Sequence, residues 1–459
     1  MRSSHTPGAV SARFDDPNLV SHAGLVPVTR LSERVGLAEL ADHWLKVPGP
    51  TGANAGAKVA SIVAGMAAGA DSVTDLDLIR HGALPRLFTQ VKAASTLGAF
   101  LRGLCGGDIS SLDAVARRVL QRLAAQTPLL PRIDQIALID IDSKITQVHG
   151  RAKQGAAYGY TKVLGLHFQA VTLSTPHAAP VILQTRLRGG NAGSGRKAAS
   201  LLRQALGTAR ACGATGPVLV RGDSTFFSGT VIATIGAAGA WFSITAPHNP
   251  AVTTAIAAID QAAWRPIRYP RPVLDTDTGQ WVTHAEIAET TLTAFTNPTD
   301  NPGRTVTARL LVRRVPAHTP TGQDGLFPLW RYHAVFTDNP TDPATAWAQH
   351  NGRAGAIEQV FADLNNSALA HFPSGKFAAN AAWLTLAALT HNLMRALGCL
   401  AGGRHATART GTLRRHLVTV AARLARTART LTLHLPRNWP WQRAWQQIFD
   451  RTHHPPAAA

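Results

Sequence analysis

Acidic residues are scarce in this chain. It has 26 Asp and Glu among 459 residues against 46 Lys and Arg, which gives a formal net charge of +20 and a pI of about 11.2. A field of that sign favours a polyanionic partner, with nucleic acid first and an acidic membrane surface a distant second. An arginine-rich genomic composition alone would raise arginine without lowering the acids this far.

Cysteine and long apolar runs are also lacking. Cys105, Cys212 and Cys399 are far apart and form no Cys-x-x-Cys pair, which excludes a disulfide framework and a zinc ribbon. The apolar runs Val59–Ala70 and Ala381–Leu389 fall well below the roughly 20 residues of a membrane span. The first twenty residues contain no stretch of signal-peptide type. The sequence therefore predicts a soluble, cytoplasmic protein with no membrane segment.

The sequence does contain hydrophobic residues in regular patterns. Hydrophobic residues make up 45% of the chain, which is typical of a folded protein. Residues 1–130 read as helical, with apolar side chains at helical spacing over 58–69 and 112–125. A short helix, a Gly turn and a second helix begin near Leu31, and this pair is a candidate DNA-reading element. We therefore interpret 1–130 as a helical DNA-binding region.

The pattern changes after residue 130. The order is strand, strand, strand, helix, strand, helix, strand, over 136–142, 160–173, 179–187, 197–211, 217–222, 228–238 and 240–245. Three consecutive strands followed by alternating helices and strands is the order of an RNase H-like α/β fold, in which the first and fourth strands lie side by side. We therefore predict that 131–245 is the first part of such a mixed-sheet core.

Three further segments complete the chain. Residues 246–345 are rich in Pro, Thr and β-branched residues and predict a β-rich insertion that interrupts the core. Residues 346–402 return to helix and supply the last core helices, of which 380–400 is apolar almost all round and therefore predicted to be buried. Residues 403–459 have many arginines and almost no acids, and they predict a basic helical tail. That tail is either a phosphate-binding surface or a solvated helix face.

Three of the few acids stand at positions suited to metal ligands. Asp142 ends an apolar run, Asp223 directly follows another, and Glu358 lies in a predicted amphipathic helix. Asp140 shares a strand face with Asp142, so either is the first ligand, and we prefer Asp142 because a polar Ser-Lys sequence follows it. Converging carboxylates hold a pair of Mg²⁺ ions, which activate a nucleophile and stabilise a leaving oxygen in phosphodiester chemistry.

One glycine-rich segment imitates the phosphate-binding loop of ATPases. Residues 190–197 follow a predicted strand and open a predicted helix. However, Arg196 follows the last glycine, and Ala198 leaves no Ser or Thr hydroxyl after Lys197 for a magnesium ion. We therefore interpret the segment as a connection that touches DNA phosphate and not as an ATP site.

The chain resembles the DDE transposases of the IS4-related superfamily, and most closely the IS1380 family of bacterial insertion sequences. The resemblance covers roughly residues 15 to 400. It is carried by Asp75-Leu-Asp-Leu-Ile-Arg80, Ile139-Asp-Ile-Asp-Ser-Lys144, Gly150, Tyr158-Gly-Tyr160, Leu187-Arg-Gly-Gly-Asn191, Val220-Arg-Gly-Asp-Ser-Thr-Phe226, Arg353-Ala-Gly-Ala-Ile-Glu-Gln-Val360 and the segment 371–383.

The resemblance implies an RNase H-like core with a β insertion, and a catalytic triad of Asp142, Asp223 and Glu358 that binds two Mg²⁺ or Mn²⁺ ions. It also implies cut-and-paste movement of a DNA element, with terminal inverted repeats and target DNA as the bound sites. A homodimer in the synaptic complex and a bacterial, nucleoid-associated location follow from it as well. The residues expected to contact DNA are Arg353, Arg414, Arg415 and Arg423.

The chain also departs from the signature of the broader group, which carries Tyr, Arg, Glu and Lys around the third acid. His350 takes the Tyr position and Asn365 the Lys position, and four residues instead of three separate Arg353 from Glu358. Two other functions therefore stay open. One is a catalytically silent DNA-binding protein derived from a transposase, and the other is a structure-selective nuclease without strand transfer.

Overall fold

The amino-terminal part of the chain folds as a layer of helices. The computed structural model describes residues 11–150, 152–275, 280–297, 304–316 and 330–455. A short strand and helices come first: β1 (Leu19–Val20), α1 (Leu25–Arg34), α2 (Leu37–Trp44), α3 (Ala55–Ala68), α4 (Leu84–Leu87), α5 (Ala94–Gly103) and α6 (Gly106–Gln126). Helices α2 and α3 approach closely because Gly56 has no side chain, and a Cβ there would lie 2.3 Å from the Ala38 carbonyl oxygen. The helical patterns over 58–69 and 112–125 correspond to α3 with its capping Gly69 and to α6.

A mixed sheet follows. Its elements are β2 (Ala137–Gln147), β3 (Ala157–Tyr158), β4 (Leu164–Thr175), β5 (Ala178–Gly189), α7 (Ala198–Ala211), β6 (Val218–Gly222), α8 (Gly229–Ala237) and β7 (Trp241–Thr245). The strand order is β5-β4-β2-β6-β7, with β4 antiparallel to both neighbours and β2, β6 and β7 parallel. The strands and helices predicted between 131 and 245 are present in the predicted order, and the protein is a mixed α/β structure.

The β-rich segment continues this sheet and does not form one of its own. It contains α9 (Pro250–Ala257), β8 (Arg265–Asp275), β9 (Gln280–Ala294), β10 (Val306–Pro316) and β11 (Trp330–Thr337). Strand β11 pairs antiparallel with β7, and β10, β9 and β8 follow outward as antiparallel neighbours. The described part of the sheet therefore has ten strands. Residues 276–279, 298–303 and 317–329 of the predicted insertion lie outside the described residues.

Two long helices close the core. Helix α10 (Pro343–Asn365) begins at a cap in which the Asp342 carboxylate accepts a 3.0 Å hydrogen bond from the Thr345 N–H. Helix α11 (Phe377–Ala401) is buried along nearly its whole length between β5 and the amino-terminal helices α3 and α6. Its Asn392 side chain satisfies the open edge of β5, because it donates to the Ile182 carbonyl at 2.7 Å and accepts from the Ile182 N–H at 2.8 Å.

The tail corrects one expectation. It was predicted to be helical, but between α12 (Thr410–Leu413) and α13 (Gln442–His453) it contains two strands, β12 (Ala422–Thr427) and β13 (Thr430–His434). Strand β12 pairs with β1 at the other end of the chain, so the described part has a second sheet in the order β1-β12-β13. Among the described helices, none is both long enough and apolar enough to cross a membrane.

Candidate active site

Strand β2 separates an apolar face from an acidic one. Ile139 and Ile141 are fully buried on one face, and Asp140 and Asp142 alternate with them on the other. The parallel neighbour β6 pairs Asp140 with Arg221 in register. The acidic face of β2 therefore looks toward the same side as Arg221.

Asp140 is committed to an internal ion pair. Its Oδ1 accepts from Arg221 Nε at 2.6 Å and its Oδ2 accepts from Arg221 Nη2 at 2.8 Å, and both side chains are almost fully buried. Arg221 Nη1 also donates to the Gln349 carbonyl of α10. Both Asp140 oxygens are thus occupied by a bidentate guanidinium that ties β2, β6 and α10 together.

Asp142 and Asp223 lie two residues beyond that pair. Because Asp140 and Arg221 are in register, continuing each strand by two residues brings Asp142 and Asp223 to the same face. Asp223 is still extended, with φ −79° and ψ −179°, and its Oδ1 accepts from the Thr225 N–H at 3.0 Å. The predicted pair of carboxylates is therefore brought together where the parallel pairing of β2 with β6 ends. Asp142 lies in the middle of β2, which continues to Gln147 beside β4, and not at a strand end as predicted, whereas Asp223 directly follows β6.

The neighbours of the Asp142 carboxylate shift its pKa in opposite directions. Burial raises its pKa, and the negative charge of Asp223 raises it further, whereas a 2.7 Å hydrogen bond from the Ser143 N–H and the nearby Arg353 guanidinium lower it. Arg353 Nη1 lies 3.2 Å from Asp142 Oδ2, and the Asp142 side chain keeps 22% of its surface exposed. Two hard oxygen donors that repel each other and remain accessible fit a divalent cation such as Mg²⁺.

Helix α10 brings Arg353 to this pair, and Glu358 lies five positions further along the same helix. The Glu358 side chain is exposed, while Ile357 and Val360 beside it are fully buried. An α-helix turns about 100° per residue, so side chains five positions apart point roughly 140° away from each other. Four positions, the spacing of the resembled signature, would leave them only about 40° apart. Helix α10 is α-helical throughout, so no local bulge absorbs the additional residue.

No triad is assembled in the described structure. Among the described residues, no group of three or more His, Cys, Asp or Glu side chains is close enough to hold a metal ion. The assignment of Glu358 as a third ligand therefore stays a prediction. The two aspartates fit a cation by their chemistry, and Glu358 lies on the helix that covers them.

The His350 side chain is buried and contacts strand β7. It is buried in α10, its Nδ1 lies 2.9 Å from Ser243 Oγ, and its Nε2 lies 3.0 Å from Thr245 Oγ1. Burial, together with the positive charges of Arg353 and Arg221, lowers its pKa to about 3. A neutral imidazole therefore joins α10 to β7, where the resembled signature has Tyr. Asn365, at the position of the signature Lys, is exposed at the end of α10.

The glycine-rich segment 190–197 reaches the site from a third side. Ser194 Oγ lies 2.9 Å from the Oγ of Ser143, the residue after Asp142. A Cβ on Gly195 would lie 2.9 Å from the carbonyl oxygen of Thr225, two residues after Asp223. The segment therefore touches both strands that end in the aspartates.

Buried side chains beneath the segment fix its peptide planes. Arg188 Nη1 donates to the carbonyls of Gly193, Ser194 and Arg196 at 2.8, 3.3 and 3.0 Å. Gln169 Nε2 adds a bond of 2.6 Å to the Ser194 carbonyl. In a trans peptide the N–H of the following residue points opposite to the carbonyl. The N–H groups of Ser194, Gly195 and Lys197 therefore face away from Arg188. The exposed Arg196 and Lys197 side chains lie on that outer side.

The other predicted DNA contacts lie in the tail and differ in accessibility. Arg414 is half-buried, donates to the Asn366 carbonyl at 3.4 Å, and packs against Gly69 of the amino-terminal layer. Arg415 is exposed. Arg423 is exposed as well, with its Nε 3.4 Å from Asp16 Oδ2. Arg414 therefore joins two parts of the protein, and the other two present charge to solvent.

Sequence reasoning did not identify the role of Arg221. Its signal was an arginine inside an otherwise apolar strand, because a charge there needs a buried partner. The same reasoning left Asp140 and Asp142 as alternatives, and the bidentate bond to Arg221 is what distinguishes their environments.

The fold and the site together indicate the class of protein. This is a mixed α/β protein with two acidic residues on adjacent central strands, just beyond the paired part of those strands, and a late helix packs over them. The family model described as "Transposase DDE domain group 1" matches residues 3–456, and the chain belongs to that family of transposases. No curated protein is significantly similar to it.

Proposed function

We propose that this protein is the transposase of a bacterial insertion sequence of the IS1380 type, which binds terminal inverted repeats and moves its element by cut-and-paste. One observation carries the proposal: in a member of a DDE transposase family, Asp142 and Asp223 stand side by side just beyond the paired part of β2 and β6. The strand order β5-β4-β2-β6-β7, with β4 antiparallel, supports an RNase H-like core.

We assign Asp142 and Asp223 as the carboxylates that hold the divalent ions, Mg²⁺ or Mn²⁺, with Glu358 as the third. Bound there, such ions supply an activated water and neutralise charge on the phosphodiester. We assign Asp140 as a positioning residue, because both of its oxygens accept hydrogen bonds from Arg221 and its side chain is only 1% exposed, whereas the Asp142 side chain is 22% exposed. Arg221 and Asp140 hold β2 and β6 in the register that places the two ligands together.

Three basic side chains near the aspartates bind phosphates of the DNA. Arg353 neutralises Asp142 in this structure, and once a cation has taken that role its guanidinium is free to bind a phosphate of the cleaved strand. Arg196 and Lys197, with the outward N–H groups of Ser194, Gly195 and Lys197, offer a cationic surface next to the aspartates for the neighbouring phosphates. The freed 3′-OH is then held at the same carboxylates for attack on target DNA.

The net charge of +20 supports a large electrostatic share in DNA affinity. Arg415 and Arg423 are the exposed tail residues proposed to contact the terminal repeats. We retain Arg414 as a weaker contact, because it is half-buried and bonded to Asn366. A homodimer that synapses the two element ends completes the proposal.

The test is excision in cells, with the protein supplied in trans to a plasmid that carries the element's own ends around a marker. Asp223→Asn is expected to abolish excision. The matched control is Asp134→Asn, because Asp134 is an exposed acid that precedes β2, eight residues before Asp142. Excision by the wild type and the control, but not by Asp223→Asn, supports transposition. Equal excision by all three proteins contradicts the assignment of Asp223.

A catalytically silent DNA-binding protein is the second candidate. The observation that favours it is the exposed Glu358 and the lack of a three-carboxylate group among the described residues. Salt-sensitive binding to the element ends without excision or cleavage would establish it. Metal-dependent cleavage without joining would instead establish the structure-selective nuclease.

A further inference from the structure

A β-hairpin projects from the tail, and we name residues 422–434 the arginine hairpin. Its strands β12 and β13 pair antiparallel from Arg423 opposite His434 to Thr427 opposite Thr430, which leaves a two-residue turn at Ala428 and Arg429. The base is anchored: Ala422 and Leu424 are buried, and the Leu424 N–H donates to the Asn18 carbonyl at 2.8 Å.

The distal half of the hairpin stands clear of the protein. Residues 426–431 are all exposed, in contrast to the buried positions at the base. Three residues on each strand, at about 3.3 Å per residue, extend roughly 10 Å beyond the anchored part. The arginine hairpin is thus a two-stranded ribbon with a fixed base and a free end.

The free end has the chemistry of a DNA contact. Arg426 and Arg429 are exposed, and neither forms an ion pair within the described residues. The sequence contains no Asp or Glu between residues 403 and 449, so no local acid competes for them. Leu431 lies directly across from Arg426 and keeps 46% of its surface exposed. One face of the ribbon therefore pairs a cation with an apolar side chain.

We propose that the distal half of the arginine hairpin enters the major groove of duplex DNA. The groove is about 12 Å wide and about 8.5 Å deep, which admits a two-stranded ribbon whose free end is roughly 10 Å long, whereas the minor groove at about 6 Å is too narrow. Arg426 and Arg429 bind phosphate or base edges, and Leu431 contacts the sugar or a thymine methyl group. This inference rests on the proposed DNA-binding function and adds the element and the groove.

The experiment measures binding of the full-length protein to a duplex that carries the element's terminal repeat, over a series of salt concentrations. The variants are Arg426→Ala, Arg429→Ala and their double. The matched control is Arg132→Ala, because Arg132 is exposed in the loop before β2 and lies outside the hairpin. Loss of two phosphate contacts lowers the slope of log affinity against log salt by about 1.8, at about 0.9 per contact. The control is expected to keep more of the wild-type slope than the double variant.

A second measurement identifies the groove. Methylation of guanine N7 in the duplex places a methyl group in the major groove, and it is expected to weaken wild-type binding but to have little further effect on the double variant. A double variant with wild-type affinity, salt slope and methylation sensitivity would overturn the proposal for the hairpin while leaving the proposed function intact. Failure of the wild type to bind any duplex would overturn both. Preferential binding to acidic lipid vesicles would also overturn the hairpin proposal.

Discussion

Replacing Asp140 and replacing Asp142 should have opposite consequences, although the two residues share one strand face. Asp140→Asn removes the charge that neutralises the buried Arg221, so Arg221 keeps its burial cost without its partner. Breaking such a buried pair from one side costs about 3–5 kcal/mol of unfolding free energy. Asp142→Asn removes a carboxylate whose pKa is already raised by burial and by Asp223, so stability should be unchanged or slightly higher.

The assay is urea unfolding at neutral pH, followed by thermal unfolding with and without Mn²⁺. We expect Asp140→Asn to lose stability but to keep stabilisation by Mn²⁺ where it still folds. Asp142→Asn should keep its stability and lose the response to Mn²⁺, since a ligand that binds the folded state at 100 times its Kd adds about 2.7 kcal/mol. Replacing both members of the buried pair, Asp140→Leu with Arg221→Met, should recover most of the loss.

One result would refute this reasoning. If Asp140→Asn unfolded like the wild type and lost the Mn²⁺ response, while Asp142→Asn kept that response, Asp140 would be the metal ligand. The bidentate bond to Arg221 would then be a feature of the metal-free state alone. The two Asp-to-Asn changes keep the side-chain volume and alter mainly the charge.

Three further predictions follow from other contacts. Glu358→Gln should change the free energy of unfolding by no more than about 0.5 kcal/mol, because the Glu358 side chain is exposed. The same change should abolish DNA cleavage. Cleavage at the wild-type rate would exclude Glu358 as a metal ligand. Asn392→Ala should cost about 1–3 kcal/mol in urea unfolding, because the Ile182 N–H and carbonyl lose their partner; no loss would show that the β5 edge is satisfied otherwise. His350 has a folded pKa of about 3, below its ordinary value, so unfolding takes up a proton and stability should fall as pH drops below about 6.5. His350→Gln should make this acid limb less steep without removing it, because the buried His391 also has a pKa of about 3; an unchanged limb would show that His350 does not contribute to it.

Much of the core could be predicted from sequence, because the relevant signals are local. Three apolar runs of strand length, followed by alternating helical and strand patterns, predicted the order of the main elements from β2 to β7. The same runs placed Asp223 directly after a strand, but they ended the first strand at Asp142, whereas β2 continues to Gln147 because it stays paired with β4. The convergence of Asp142 and Asp223 then followed from the adjacency of the first and fourth strands in that order, which pairs β2 with β6.

The tail was predicted wrongly for a physical reason. Residues 422–434 are rich in Ala, Arg and Leu, which are strong helix formers, so local propensity favoured a helix. The pairing of β12 with β1 joins residues about 400 positions apart, and this tertiary contact overrides the propensity. The threonines at 427, 430 and 432 were the available signal, because β-branched residues favour strands.

The sequence by itself determined the class of fold, the basic charge and the set of acids from which a site is built, since these depend on composition and on periodicity along the chain. Only the tertiary structure distinguished the two acids, because Asp140 is buried against Arg221 and Asp142 stays partly exposed beside Arg353. Asp140 and Asp142 are equivalent in pattern, and the register of β6 gives Arg221 to one of them. It likewise decided that Arg353 contacts Asp142 while the Glu358 side chain is exposed, because one additional residue in a regular helix rotates the following side chains by about 100°.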